Sequence, residues 1–380
     1  MDAEAFADGP GSIDQHNGLS CYRPASLPPD LTYTEDVLRV YGDAQYALGR
    51  LATLHRNVAN ENLLIAPFVV REAAMSSQIE GTNVTVSDII LHEIDTAPQR
   101  SAADSHDVRE AYNYVDAIHM GFDRLAEQGT LSVDLISELH ATLLSDVRGV
   151  DQRPGELRDV PVYIGSPEGS PETARFIPAN PDTVDILLEQ LVSYMNSGSY
   201  PPLIDVALAH YQFETIHPFR DGNGRLGRLL MMLQLHTSGL LPQPYLYLSA
   251  YFNRHRQAYL DGLLAVSRDG DWEGWVTFVL NAIAEQAIDA YDCALELHEL
   301  QKRYAEQFPT RPAVRDVIEY LFEAPYLTGP RAIASTGRSR QAVYDAIDLL
   351  EDEGIISEIS DAERYRVFEA PAIIDIVGTP

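Results

Sequence analysis

The sequence predicts a mainly α-helical protein with one small β-hairpin in its body and a winged helix-turn-helix module after it. Three observations predict this. Apolar residues recur at three- and four-residue intervals through most of residues 34–308. One stretch, residues 160–178, carries short β-type runs around Gly, Pro and Ser instead. Beyond residue 309 the order becomes three helices followed by a hairpin.

The bulk numbers exclude several classes. At 380 residues, with 45% hydrophobic and 22% charged residues, the chain can bury the cores of two domains and is neither collagenous nor disordered. It has no apolar run long enough for a bilayer, so no membrane role is expected. Its opening residues lack the basic and apolar regions of a secretory signal, which makes a cytoplasmic location the expectation. Cys21 and Cys293 suffice for neither a disulfide framework nor a cysteine zinc site. The formal charge is −30, and Lys302 is the single lysine. Arginine in place of lysine on an acidic surface resembles cytosolic proteins of high-salt organisms, and acidic drift in a GC-rich genome is the plainer source. From either source, so acidic a chain is a poor generic binder of nucleic acid.

Residues 1–30 are rich in Gly, Pro, Asp and Ser without apolar periodicity and read as a flexible arm. Residues 31–100 read as N-terminal helices. The first carries Val37, Leu38, Tyr41, Ala44, Leu48 and Leu51 as its stripe. The second, PFVVREAAMSSQIEGT, has Pro67 in its first turn and Gly81 just past its end. Residues 101–308 read as the main body, with helices near 104–127, 132–145, 181–196, 203–214 and 270–308 after a short one near 84–94. Residues 309–380 form the appended module, with helices near 311–323, 330–335 and 339–353.

The segment that carries chemistry is His217-Pro-Phe-Arg-Asp-Gly-Asn-Gly-Arg-Leu-Gly-Arg228. A glycine-rich loop feeding a helix N-terminus aims backbone N–H groups and the positive end of the helix dipole at one spot, as phosphate cradles do. Arg225 and Arg228, three apart on the first turn, could both reach polyphosphate oxygens. Asp221 would repel phosphate unless a divalent cation stood between them, which points to Mg²⁺. His217 suits a general base acting on an attacking hydroxyl. Singly, each feature has a plainer reading: a structural His-Pro, a Gly-x-Gly turn, a solvated pair of arginines.

Together they match His-x-Phe-x-Asp/Glu-Gly-Asn-Gly-Arg-x-x-Arg, and on this motif the chain resembles the Fic family of nucleotidyltransferases. The resemblance implies a helical bundle with the motif between two helices. It implies His217 as general base, Phe219 as core anchor, Asp221 as Mg²⁺ ligand, Gly222, Asn223, Gly224 and Arg225 around the α- and β-phosphates, and Arg228 on the γ-phosphate. The reaction implied is transfer of AMP from ATP to a Ser, Thr or Tyr hydroxyl of a target protein, with release of pyrophosphate. Residues 160–178 resemble the family's flap, along which the target docks, with Ile164 and Gly165 near the nucleotide. LYLSAYFNRHRQAY resembles the adenine side of the pocket, making Tyr251 and Asn253 candidates there, with plain helix surface as the other reading.

A second segment, Ser76-Ser-Gln-Ile-Glu80-Gly81, resembles the family's inhibitory motif, Ser/Thr-x-x-x-Glu-Gly/Asn. Glu80 would pair with Arg228, in a bidentate manner, and deny that arginine to the γ-phosphate. Ser76, one turn earlier, would steady the helix or the glutamate. In the C-terminal module Arg338 and Arg340 begin a candidate recognition helix, yet from residue 310 onward seven Arg face thirteen Asp plus Glu. DNA, another protein and a second copy of the chain are all open as its partner. Transfer from another nucleotide donor, removal of AMP, and nucleotide sensing by a DNA-binding regulator are the alternative functions.

Overall fold

In the computed structural model, which describes residues 2–54, 62–92, 102–147, 153–165, 169–360 and 366–378, the periodic segments become helices sharing one large apolar core. Helix α1 (Glu35–Ala52) starts at Thr34, whose hydroxyl accepts from the Val37 N–H, and lies along the later helix α11 (Trp272–Gln307). Its buried stripe includes Val40, while Leu38, expected inside, faces solvent. Helix α2 (Asn62–Ile79) begins upstream of its expected start, so Pro67 lies inside it. After α3 (Val86–His92) come α4 (Ala102–Gln128), α5 (Val133–Leu143) and α6 (Val184–Ser197).

Helix α7 (Pro202–Ile216) is buried on nearly every side, which its apolar composition all round permits. It packs on α6, on α8 (Asn223–Thr237), on α11 and on α10 (Arg256–Asp269). The short α9 (Leu248–Arg254) and α10, which ends at Gly270 in the left-handed region, were not delimited from the sequence.

The N-terminal segment departs from expectation. Residues expected to form a flexible arm make a hairpin, β1 (Ser12–His16) paired antiparallel with β2 (Leu19–Arg23). Its turn is Asn17-Gly18, both at positive φ (51° and 83°), the geometry a two-residue hairpin demands. Tyr22 is fully buried, packs at a tilt against the rings of Phe6 and Phe176, and donates its N–H to Ile177 O at 2.9 Å. The hairpin therefore backs the flap. The flap itself closes on a single antiparallel bridge, Ile164 to Phe176, rather than on two strands, and residues 166–168 at its tip lie outside the described residues.

The C-terminal module runs α12 (Pro312–Glu323), β3 (Tyr326–Thr328), α13 (Gly329–Thr336), α14 (Arg340–Asp352), β4 (Ser357–Glu358), β5 (Val367–Glu369) and α15 (Pro371–Gly378). Its antiparallel sheet has the order β3-β5-β4; the three helices and the β4–β5 pair follow the expected order, and β3 and α15 were not expected from the sequence. Residues 361–365 of the expected C-terminal hairpin lie outside the described residues. Helices α12 and α15 pack against α2, the helix that carries Glu80 near its end.

Candidate active site

The loop between α7 and α8 is fixed by its own backbone and from behind. His217 ends α7 in the left-handed region (φ 51°), and Gly222 enters α8 at φ 75°, a conformation glycine adopts without strain. Asn223 clamps the loop: its Oδ1 accepts from Phe219 N–H and its Nδ2 donates to Phe219 O, both at 2.9 Å. Phe219 is fully buried and stacks on His140, ring centroids 3.8 Å apart. His140 Nδ1 accepts from the Gly155 N–H at 2.8 Å, so Nε2 carries the proton and donates to Asp221 O at 2.9 Å. Burial pushes the His140 pKa down to about 4, which preserves that neutral tautomer.

Arg158 does the same work with a charge. Its buried guanidinium donates to the carbonyls of Val160, Ala179, Ile216 and His217, and its own N–H donates to Pro218 O at 3.0 Å. One side chain thus joins both roots of the flap to the end of α7. Burial lowers its pKa to about 10, still leaving it charged at neutral pH.

His217 Nδ1 lies 3.2 Å from Glu214 O, which assigns the proton to Nδ1 and leaves Nε2 as the basic nitrogen. Burial first, and the Arg158 guanidinium second, push its pKa down to about 4, so the ring is neutral at physiological pH. His217 lines a cavity of about 340 Å³ together with Glu80, Gly224 and Arg228. Ile164 and Gly165 of the flap form another wall, with Gly165 at φ 70°. Leu260, Leu263 and Leu264 on one face of α10, with Phe176, make the apolar wall.

Glu80 sits where an anion would go. A Cβ on Gly224, in the first turn of α8, would lie 2.3 Å from Glu80 Oε1, so the carboxylate rests directly on that turn. Arg228 Nη2 donates to Glu80 Oε1 at 2.7 Å and to Ser76 O at 3.1 Å, while its Nε donates to Ser76 Oγ at 2.9 Å. The pair is therefore single rather than bidentate, because Ser76 takes the guanidinium's other edge. Burial opposes ionisation of Glu80, but Arg228 outweighs it and holds the carboxyl below its usual range. Gly81 follows at φ 99°, and Arg256 Nε donates to Ile79 O at 2.9 Å, tying down the end of α2.

Other expected residues lie elsewhere. Arg225 is buried and its Nη1 pairs with Glu110 Oε2 at 2.8 Å, so it ties α8 to α4 and does not line the cavity. Asn253 lies on α9 and its Nδ2 donates to Gln78 Oε1 at 2.9 Å, gripping α2 instead of a base. Tyr251 packs on Phe278 and His255, also outside the cavity. Among the described residues no group of three His, Cys, Asp or Glu side chains could hold a metal. Asp221 is exposed, and its Oδ1 accepts from Gly222 N–H at 2.7 Å. A single exposed carboxylate is enough for Mg²⁺, which takes one or two carboxylates from a protein and completes its shell with other oxygens, so Asp221 could hold one.

Residues 38–123 match the family model described as Fic/DOC family N-terminal, and residues 130–235 match the Fic/DOC family model. Curated relatives include the protein adenylyltransferase Fic of Aedes aegypti, 33% identical over 159 residues, covering 41% of this chain and 28% of that protein. The protein adenylyltransferase fic-1 of Caenorhabditis elegans is 35% identical over 119 residues, 30% of this chain and 21% of its own. The chain thus spans less than a third of the length of these relatives. A Fic family protein from Desulfovibrio desulfuricans of known crystal structure shares the fold, with a TM-score of 0.59 at 19% identity over 90% of this chain and 98% of that one.

Proposed function

Because the chain belongs to the Fic/DOC family, we propose that it is a protein adenylyltransferase held in an inhibited state by its own α2. The observation that carries this reading is the Glu80 carboxylate lying on the first turn of α8 and paired to Arg228, the place a triphosphate tail would occupy. The names of the curated relatives support the activity, and the phosphate-cradle geometry of the α7–α8 loop supports a nucleoside triphosphate as donor.

With Glu80 withdrawn, the N–H groups of the loop and Arg228 would receive the phosphates, and the target hydroxyl would approach along the flap at Ile164. His217 Nε2 takes the hydroxyl proton as the new O–P bond forms at the α-phosphorus, and the bond to the β-phosphate breaks with release of pyrophosphate. Mg²⁺ on Asp221 would neutralise charge on the phosphates. Catalysis then rests on positioning and on charge already in place. No described helix is long and apolar enough to cross a membrane. For the C-terminal module a protein contact, including a second copy, is the better supported partner, since Arg338 is already paired with Asp316.

The test is labelling by α-³²P-ATP with Mg²⁺ for the parent, Glu80→Gly, and Glu80→Gly/His217→Ala, with unlabelled GTP, UTP and CTP as competitors. Labelling strong only in Glu80→Gly, and competed only by ATP, is the expected result. Silence in all three overturns it.

A further inference from the structure

Glu214 stands one turn before His217 on α7, lines the same cavity, and takes no part in the chemistry above. Its side chain is 10% exposed, and its Oε2 lies 3.9 Å from His217 Nδ1. Its Oε1 is buried and has no hydrogen-bond partner among the described residues. The facing residue on α8 is Gly227, where a Cβ would come within 2.4 Å of Oε1. The seam between the two motif helices is therefore open at the one point where this carboxyl enters it.

A buried carboxyl without a partner is costly to ionise, and an ionised one in a triphosphate cavity would repel its ligand. The charged and titratable groups around it are Arg228 on α8, Glu80 at the end of α2, His217 and His210 on α7, and Tyr259 on α10. Burial pushes Glu214 up to about 8, with Arg228 pulling it down and Glu80 adding to the rise. His210 and His217 are both neutral near pH 7, at about 3 and about 4, and Tyr259 lies well above its usual range, so none of the three supplies a counter-charge. The cavity thus holds two carboxyls in opposite states: Glu80 ionised on Arg228, Glu214 a neutral acid with a proton to donate.

Building on the nucleotide reading above, we propose that Glu214 is a second, ligand-contacting carboxyl, donating a hydrogen bond to a phosphate oxygen of the bound donor once Glu80 has left. Phosphate charge replaces that of Glu80 and keeps Glu214 protonated in the complex, so binding is linked to its proton. Above the pKa of the free site, affinity falls about tenfold per pH unit.

Calorimetric titration of the Glu80→Gly protein with the α,β-methylene analogue of ATP and Mg²⁺, from pH 6.5 to 9.5, tests this, with melting curves checking that each variant folds. The expected affinity is level at low pH and falls steeply past a midpoint near 8 or slightly below. Glu80→Gly/Glu214→Gln, isosteric and neutral at every pH, retains binding at pH 7 and loses the alkaline fall. Glu80→Gly/Glu214→Ala binds about tenfold more weakly at pH 7. The proposal is overturned if the Gln variant falls with pH as Glu80→Gly does, if the Ala variant binds as tightly, or if Glu80→Gly itself shows no alkaline fall. An absence of binding by Glu80→Gly at every pH overturns the nucleotide reading and this proposal with it. Should the Ala variant fail to fold, the Gln profile alone decides.

Discussion

The two sides of the cavity are held in opposite ways. The loop from His217 to Asn223 is fixed from behind by buried polar contacts to its backbone, through Arg158, His140 and Asn223. The blocking carboxylate of Glu80 hangs at the end of α2 on one ion pair, with its side chain 42% exposed against 1% for Arg228. Farther back, α2 is secured by Glu72, which accepts from Ser249 N–H at 3.0 Å and from the Ser249 and Tyr114 hydroxyls. The chemistry therefore sits on the part that cannot move, and the brake sits on the part that can be released without dismantling its helix. A loop anchored through backbone carbonyls tolerates no adjustment, whereas a half-exposed ion pair is readily outcompeted.

The largest expected effect comes from breaking the rigid side. In the Glu80→Gly background, Arg158→Ala removes four carbonyl contacts at once and should lower kcat about a hundredfold, as displacement of a catalytic base by about an ångström does. Arg158→Lys should recover little, because an ammonium cannot span carbonyls that a planar fork reaches together. Single-turnover labelling measures both. Undiminished labelling in Arg158→Ala would mean that the loop holds itself and that the contrast drawn here is false.

A smaller effect is expected on the detachable side. Ser76→Ala removes the hydrogen bond from Arg228 Nε but leaves Glu80 in place. Labelling should rise about tenfold over the parent and stay below Glu80→Gly, the amount one charge-assisted hydrogen bond supports. Equal rates for Ser76→Ala and Glu80→Gly would shift the brake from the ion pair to the serine.

How much of this was legible in the sequence follows from the same contrast. The motif loop and Glu80 could be read because their chemistry lies in contiguous side chains next to glycines with a backbone purpose. Arg158 and His140 could not, because their partners are main-chain carbonyls and amides, which no side-chain spacing announces. Leu260, Leu263 and Leu264 look like any core stripe, so the apolar wall they give the cavity was not read, and the resemblance placed the adenine side at Tyr251 and Asn253 instead. Arg225 was expected on phosphate from its place in the motif, and its pairing with Glu110 could not be read because that residue is far away in sequence. The Asn17-Gly18 turn was a legible hairpin signal, hidden by flanking strands whose alternation is weak and whose anchors, Phe6 and Tyr22, stand alone.

The smallest expected effect concerns stability against pH, and it separates the two sides once more. His140 and His217 are both pushed by burial to about 4 from an ordinary value of 6.5. Between these values the unfolded chain binds protons that the folded one refuses, so their contribution to stability is lost as pH drops from about 6.5 to about 4. Glu214, raised to about 8, and Glu72, raised to about 7, act in the other direction, since each disfavours folding increasingly as pH climbs from about 4.5 through those values. The two windows overlap between about 4.5 and 6.5, where the buried histidines, His210 at about 3 included, outnumber the two raised carboxyls, so melting temperature measured from pH 4 to pH 9 should peak near pH 6.5. His217→Asn should make the acid side shallower by a few degrees without touching the alkaline side, and Glu214→Gln should do the reverse. An acid side unchanged by His217→Asn, with activity lost all the same, would mean that the imidazole is solvated in the resting protein, and the rigid half of the comparison would then end at Pro218.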